Sequence, residues 1–571
     1  MPDHRLRNAR TAALLSVLIA ELCSVLPARA QCAAASPAQA QVEQAYAQHN
    51  WGEVVRLAEP VSPRSATLNF DYGMALAHLQ RWSQARAALL AGAHCRPHEE
   101  RFPVELAGVA FEQKRYPEAA AWLRRALKLN PKDEYANNFA GTVYYLMGNL
   151  PAALHAWNRV GKPYISTLDF DPRLRIRRLL LDRAFAFSPA AVLREPQWET
   201  TEARLAGLGI FPTWNIALNA RPDGAFDADF HAMELDGFGA TPLQAIVSTF
   251  SGLPYATVYP SYNNIGHSAM NFDSLLRWDE QKRRAWLSLS APLRNLPARR
   301  WQLFADVRDE NWAIRRSFTG NAPVLGSFNM EWQQAGASVT SFTSGRFRWN
   351  LDGDLSHRSF RSVVQGSALD AQLVQPGYAL QFGGGVQGKP LDIPERRFTL
   401  TTAAAAQVGR LWSSPPHLFE KLQTSALAHW FPQAQGDKWE VSQQLRLGGL
   451  FGSAPFDQLF MLGVERDNDL WLRGHVGTRD GRKGSAPLGN RYLLANSDLY
   501  RRIYGNGLIT VQAGPLFDVG RMGAPITGLA TNQWLFDTGI EARLTVLGTH
   551  VVLTWGRDLR TGSNAFFGTT Q

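Results

Sequence analysis

The chain has 571 residues, 45% of them hydrophobic and 19% charged. Whole-chain disorder is thereby excluded, and at roughly 150 residues per domain three or four domains fit. Three cysteines exclude a disulfide-built scaffold, and the net charge of +10 comes from arginines dispersed along the chain, a pattern that argues against nucleic acid as a partner. The amino end carries Arg5, Arg7 and Arg10, an apolar stretch from Thr11 to Leu26, and Ala28-Arg29-Ala30. A positive start, a short apolar core and an A-x-A site predict an export signal over residues 1–30, leaving Gln31 as the first mature residue. Cys32 and Cys95 then remain, and the residues leave open whether they pair. Beyond the signal no apolar run approaches the ~20 residues of a membrane helix. Any later span must be a β-barrel, which suits a chain with 18 Trp, 30 Phe and 47 Gly.

Residues 36–163 repeat with a period near 34. Leu106 to Pro131 carries Tyr116, Ala119, Leu123, Ala126 and Pro131. One period downstream stand Gly141, Tyr144, Ala153 and Trp157; one upstream stand Gly73, Trp82, Ala85 and Leu89. Trp51 and Val54 hint at an earlier copy. Small residues at Ala85, Ala119 and Ala153 let paired helices approach, and Trp82, Tyr116 and Trp157 fill the gaps between pairs. The segment resembles an all-α array of tetratricopeptide repeats, which implies a peptide- or protein-binding surface.

Residues 164–238 suggest a small α+β module. Leu174 to Leu179 is read as the start of a strand, Thr201 to Leu208 as a helix stopped by Gly209, and Trp214–Ala220 with Phe226–Ala232 as a hairpin turning at Asp223-Gly224. The layout βααββ, with Leu208-Gly209-Ile210-Phe211 and Glu234-Leu235-Asp236-Gly237, resembles a POTRA (polypeptide-transport-associated) module.

From residue 240 to 571 the period falls to two. Trp301, Leu303, Ala305 and Val307 alternate with polar residues, and so do Phe347, Trp349 and Leu351, then Tyr378, Leu380 and Phe382, then Leu445 and Leu447, then Val551, Leu553 and Trp555. Arg, Asp and Asn recur on the opposite face, as in a transmembrane antiparallel barrel with a polar lumen; about sixteen strands fit. The last strand is either Ala565–Gln571 or ends at Leu559. Within Pro455 to Ile503 stand Leu472-Arg473-Gly474-His475, Pro487-Leu488-Gly489 and Asp498, and the next strand holds Leu516-Phe517-Asp518-Val519-Gly520. Arg473 beside Gly474 can fold into a lumen, where its guanidinium needs carboxylates; Asp498 and Asp518 are the candidates.

These motifs resemble the sixth extracellular loop of the outer-membrane assembly-factor and two-partner-secretion superfamily, the bacterial surface antigen barrel, with His475 where the family carries an aromatic residue. The resemblance implies that Leu472, Arg473, Gly474 and His475 lock the loop inside the barrel, against Asp498 and Asp518. It further implies a protein that inserts or translocates clients at the outer membrane, with its amino-terminal domains in the periplasm. The expected partners are outer-membrane lipid, an unfolded or exported client, and periplasmic chaperones or accessory proteins. The competing reading is a polysaccharide exporter, which also joins such repeats to a barrel but lacks the loop tetrad. Neither catalytic residues nor a metal site nor a cofactor is expected, since H-E-x-x-H, G-x-S-x-G, a P-loop and C-x-x-C are all missing.

Overall fold

The computed structural model describes residues 37–315, 323–364, 366, 373–413, 416–506, 509–525, 533–546 and 549–570. The predicted export signal and Cys32 lie outside them. The chain divides into two compact units, 1–148 and 149–571.

Among the described residues of the first unit seven helices follow one another: α1 (Ala38–Ala47), α2 (Trp51–Ala58), α3 (Ala66–His78), α4 (Trp82–Cys95), α5 (Arg101–Glu112), α6 (Tyr116–Leu129) and α7 (Glu134–Leu146). Side chains of Asn50, Ser65 and Asp133 accept from amides in the first turns of α2, α3 and α7, satisfying donors the helices cannot use themselves. Ala85 and Ala119 are wholly buried. Gly73 is buried because a Cβ there would lie 2.8 Å from Leu89 Cγ. Gly141 is also buried, Trp82 and Tyr116 are half-buried, and Pro131 is exposed after α6. Cys95 is disulfide-bonded.

The helical unit expected to run to residue 163 ends at Gly148. The next helix, α8 (Leu150–Trp157), belongs to the second unit. The reason is visible in its side chains. Trp157, expected to fill a gap between repeats, packs against Phe226 with ring centroids 5.5 Å apart and planes tilted by 48°, and His155 Nδ1 lies 3.0 Å from Glu195. Ala153, read as a repeat residue, is buried there.

The module that follows contains β1 (Tyr164–Phe170), α9 (Arg178–Ala184), β2 (Ala191–Val192), α10 (Glu195–Leu208), β3 (Thr213–Ala220) and β4 (Phe226–Met233). The sheet order is β2-β1-β4-β3, with β1 parallel to β4. The strand predicted at Leu174–Leu179 is not formed. That stretch is a turn leading into α9, and Tyr164–Phe170 supplies the strand instead. Leu180 and Leu181 are buried side by side, as neighbours on a helix allow but neighbours on a half-buried strand do not. Gly209 ends α10 at φ 65°, and Gly224 turns the hairpin at φ 81°. Phe170, Phe185, Phe211 and Phe230 form the aromatic core between helices and sheet.

After α11 (Pro242–Phe250), a continuous antiparallel sheet wraps into a barrel. Its wall consists of β5 (Thr257–Val258) with β6 (Ser261–Ile265), then β7 (Met270–Trp278), β8 (Lys282–Leu293), β9 (Leu296–Arg315), β10 (Val324–Ser341), β11 (Phe347–Val364), β12 (Gly377–Ile393), β13 (Phe398–Trp412), β14 (His417–Trp430), β15 (Trp439–Gly452), β19 (Leu488–Gly505), β20 (Ile509–Pro525), β21 (Trp534–Val546), β22 (Thr549–Asp558) and β23 (Asn564–Thr570). Short strands β16 (Phe460–Met461), β17 (Thr478–Arg479) and β18 (Arg482–Lys483) lie in the connection between β15 and β19. Among the described residues, with β5 and β6 as one interrupted pass, fifteen passes build the wall, against the expected number of about sixteen. The chain closes with β23, and β22 ends at Asp558. Leu303, Val307, Leu351, Phe382, Leu553 and Trp555 are exposed on the outer face, whereas Asp306, Arg473 and Asp518 are buried. Such inversion of the soluble pattern is what lipid on the outside and polar groups in the lumen require.

The βααββ module seats on one end of this barrel. Arg346 Nε donates to Glu199 (2.7 Å), Arg300 Nη1 to Leu208 O (2.9 Å), Arg183 Nη1 to Asn295 O (3.0 Å) and Arg177 N to His267 O (2.8 Å). These contacts gather at the turns β6–β7, β8–β9 and β10–β11.

Candidate functional site: the re-entrant loop

The long connection between β15 and β19 leaves the end of the barrel opposite that module and folds back into the lumen. Leu472 goes first, wholly buried among Leu462, Leu470, Leu494, Met522 and Leu535. That apolar seat delivers Arg473 to the wall. Its side chain is 5% exposed. Nε and Nη2 grip Asp518 on β20, with Nε 2.9 Å from Oδ2 and Nη2 2.6 Å from Oδ1. Nη1 donates to Asp498 on β19 (2.6 Å) and to Glu541 on β21 (3.0 Å), and the Arg473 backbone N–H donates to Asp518 Oδ2 (2.9 Å). A planar fork is the one side chain able to serve three carboxylates at once.

Gly474 has no room for a side chain. A Cβ there would sit 2.6 Å from Asp537 Cγ and 2.6 Å from Asp558 N. Its N–H donates to Asp537 Oδ2, and His475 Nδ1 lies 3.0 Å from the same oxygen. This explains the departure from an aromatic residue: the tip meets carboxylates, and an imidazole answers them where a phenyl ring would not. The sequence-predicted set Leu472, Arg473, Gly474, His475, Asp498 and Asp518 is thus brought together.

Sequence reasoning missed Glu541, Asp537 and the groups that orient them. Tyr500 Oη donates to Glu541 Oε1 (2.6 Å), and Asn496 Nδ2 to Asp518 Oδ1 (2.7 Å). The signal was present in β21, where Asp537, Glu541 and Arg543 fall on one parity of an otherwise apolar strand.

A second foot of the loop was also missed. Asp467 pairs with Arg277 on β7 (2.8 Å), Arg284 on β8 (2.7 Å) and Lys483 (3.1 Å), and Lys282 lies 3.3 Å from Glu465. One foot therefore stands on β7–β8 and the other on β19–β21. Between the feet, Arg466 packs over the Tyr255 ring at 3.7 Å and Trp471 lies against Phe567 of β23 at 5.1 Å. The loop is a strap along the inside of the wall, reaching from its first passes to its last. No sequence signal singles out Asp467, because two of its three cations, Arg277 and Arg284, lie 190 and 183 residues upstream.

No family model matches the chain, and no curated protein matches it. Solved structures similar to it include BamA from Haemophilus ducreyi lacking POTRA domains 1–3 (11% identity, 72% of this chain and 84% of that chain, TM-score 0.41). CdiB from Escherichia coli is similar at 14% identity over 72% of this chain and 75% of that chain (TM-score 0.46). CdiB from Acinetobacter baumannii is similar at 11% over 78% and 81% (TM-score 0.42).

The site's chemistry is that of a clamp. Among the described residues His475, Asp537 and Asp558 place three potential metal-ligand atoms within 4.8 Å of one another. The Asp558 carboxylate, however, already accepts from Arg560 N and from both the N–H and hydroxyl of Thr561, which caps the end of β22 and leaves a poor ligand. Beside the clamp lies a lumen cavity of about 870 Å³, lined by Arg446, Arg466, Asp469, Trp471, Gln444 and Arg543 among others.

Proposed function

We propose that this chain is an outer-membrane barrel of the assembly-factor and two-partner-secretion superfamily that inserts or translocates client proteins. The observation that carries the reading is the three-carboxylate grip on Arg473 by a loop folded back inside a barrel. An arginine is buried this way only where surrounding acids repay its desolvation, and the strap it anchors occupies part of the lumen. The helical unit and the βααββ module lie on the periplasmic side. The helical unit recruits the client or accessory proteins. The module passes an extended client to the barrel by strand addition, for which β3 offers a free sheet edge. Leu472, Gly474 and His475 position Arg473 against Asp498 and Asp518. Photo-crosslinking from the helical unit and from β3 in intact cells tests the reading. Capture of unfolded outer-membrane or secreted polypeptides supports it; capture of polysaccharide-synthesis proteins alone overturns it in favour of export.

A further inference from the structure

Fifteen passes pose a closure problem. From β5–β6 to β23 each pass is antiparallel to the next, so the first and last run in the same direction. An antiparallel ladder cannot join them. The chain entering the barrel occupies this place. Gly237 and Asn263 exchange both backbone hydrogen bonds (3.0 and 2.7 Å), Tyr259 N donates to Thr249 O (2.9 Å) and Thr257 N to Gly252 O (3.1 Å). These bonds lie along the edge of the first pass that is turned away from β7. On the other flank Gly568 of β23 must lack a side chain, because a Cβ would meet Tyr255 Oη at 2.2 Å. Residues 237–255, with α11 at their centre, therefore run along the outer edge of β5–β6, and Tyr255 at their end reaches β23.

Four large apolar residues on this segment, Leu243, Ile246, Phe250 and Leu253, are spaced three, four and three apart and are between 47 and 62% exposed. That spacing is one helical face. Gln244, off that face, is buried. Residues 237–272 contain no Asp, Glu, Lys or Arg. The lumen side of the same segment is marked by Arg466 over Tyr255. The exposed face continues the apolar belt on both flanks, from exposed Phe566 on β23 to exposed Tyr262, Leu276 and Trp278 on β6 and β7.

We infer that α11 and the turn that follows it form a helical stave of the barrel wall, whose Leu243, Ile246, Phe250 and Leu253 side chains lie against lipid acyl chains. The inference rests on the reading of residues 240–571 as a membrane barrel. A helix suits this position because it satisfies its own backbone groups, so it faces hydrocarbon without an edge and also covers the edge of the first pass beside it.

The test uses the full-length protein in phosphatidylethanolamine–phosphatidylglycerol vesicles. A nitrobenzoxadiazole probe is placed on Ile246→Cys or, should that variant fold poorly, Leu243→Cys. Leu303→Cys on β9 reports the lipid belt and Gln444→Cys the lumen. Doxyl-labelled phosphatidylcholine should quench the probe at 246 to within twofold of the extent at 303, and iodide should quench it several-fold less than at 444. Iodide quenching equal to that at 444, or protection from both quenchers as a bound polypeptide would give, overturns the inference while 303 still responds to the lipid quencher. Failure at 303 itself overturns the membrane-barrel reading and the inference with it.

Discussion

Replacing Arg473 with Ala removes the one cation shared by Asp518, Asp498 and Glu541, whose side chains are 0, 10 and 4% exposed. Breaking a buried ion pair by deleting one partner costs ~3–5 kcal/mol, the stranded charge being the larger part. Lumen water beside the site lowers the figure, and the acids can take up protons, so about 3 kcal/mol is the working value. At about 1.4 kcal/mol per decade that is roughly a hundred-fold fall in the population with the loop docked. The barrel itself should still form, because its ladders do not pass through Arg473. The assay is protease cleavage of the β15–β19 connection in intact cells, run beside heat-modifiability and client assembly. Arg473→Ala should be cut far faster while keeping its heat-modifiable band. Arg473→Lys should recover only part of the docking, since an ammonium cannot hold two oxygens of Asp518 and still reach Glu541. The swap of Arg473→Asp with Asp518→Arg should do better than either single change. If Arg473→Ala is cut no faster than the parent and assembles client equally well, the clamp is not what holds the loop, and the reasoning fails.

Three further outcomes follow from the same geometry. Asp467→Asn should loosen the other foot of the strap, taking the carboxylate from Arg277 while Arg284 keeps Asp306 and Lys483 keeps Glu310; a cost of about 3 kcal/mol should appear as cleavage near residue 467, while cleavage near 473 changes less. Gly474→Ala should undock the tip by about 1–3 kcal/mol of overpacking, because one of the atoms its Cβ meets is backbone, Asp558 N; an unchanged digestion pattern would count against the placement of Gly474. In the helical unit, burial raises the Asp71 carboxyl to about 6, against the opposing pull of Arg101 and with help from Glu43. The folded form then holds the proton more tightly than the unfolded one, so this group's contribution to stability is present below about pH 4 and lost as pH rises through 6. Asp71→Asn in residues 31–148 should therefore stabilise the unit at pH 7.5 by about 1–2 kcal/mol after allowing for solvent screening, read as a higher melting temperature, and leave the melting temperature unchanged near pH 4.

Periodicity in the sequence determined the helices of the first unit, the hairpin turning at Asp223-Gly224 and the alternating barrel strands, because burying one face of a helix or strand imposes a spacing that local sequence must carry. It also determined Arg473 and two of its acids, since an arginine beside a glycine in a polar lumen needs carboxylates within reach along the next strands. Tertiary structure alone decided the rest. Glu541 and Asp537 join the clamp because β21 lies beside β20, and Asp467 finds Arg277 because the loop crosses to the wall some 190 residues away in sequence; register and closure set both, and neither leaves a local mark. The first module strand moved from Leu174–Leu179 to Tyr164–Phe170 because adjacent leucines that must both be buried favour a helix over a half-exposed strand. The sixteenth place in the wall went to α11, whose apolar spacing reads from sequence like any core helix. Only the parity of fifteen antiparallel passes shows that its apolar face has no core to meet.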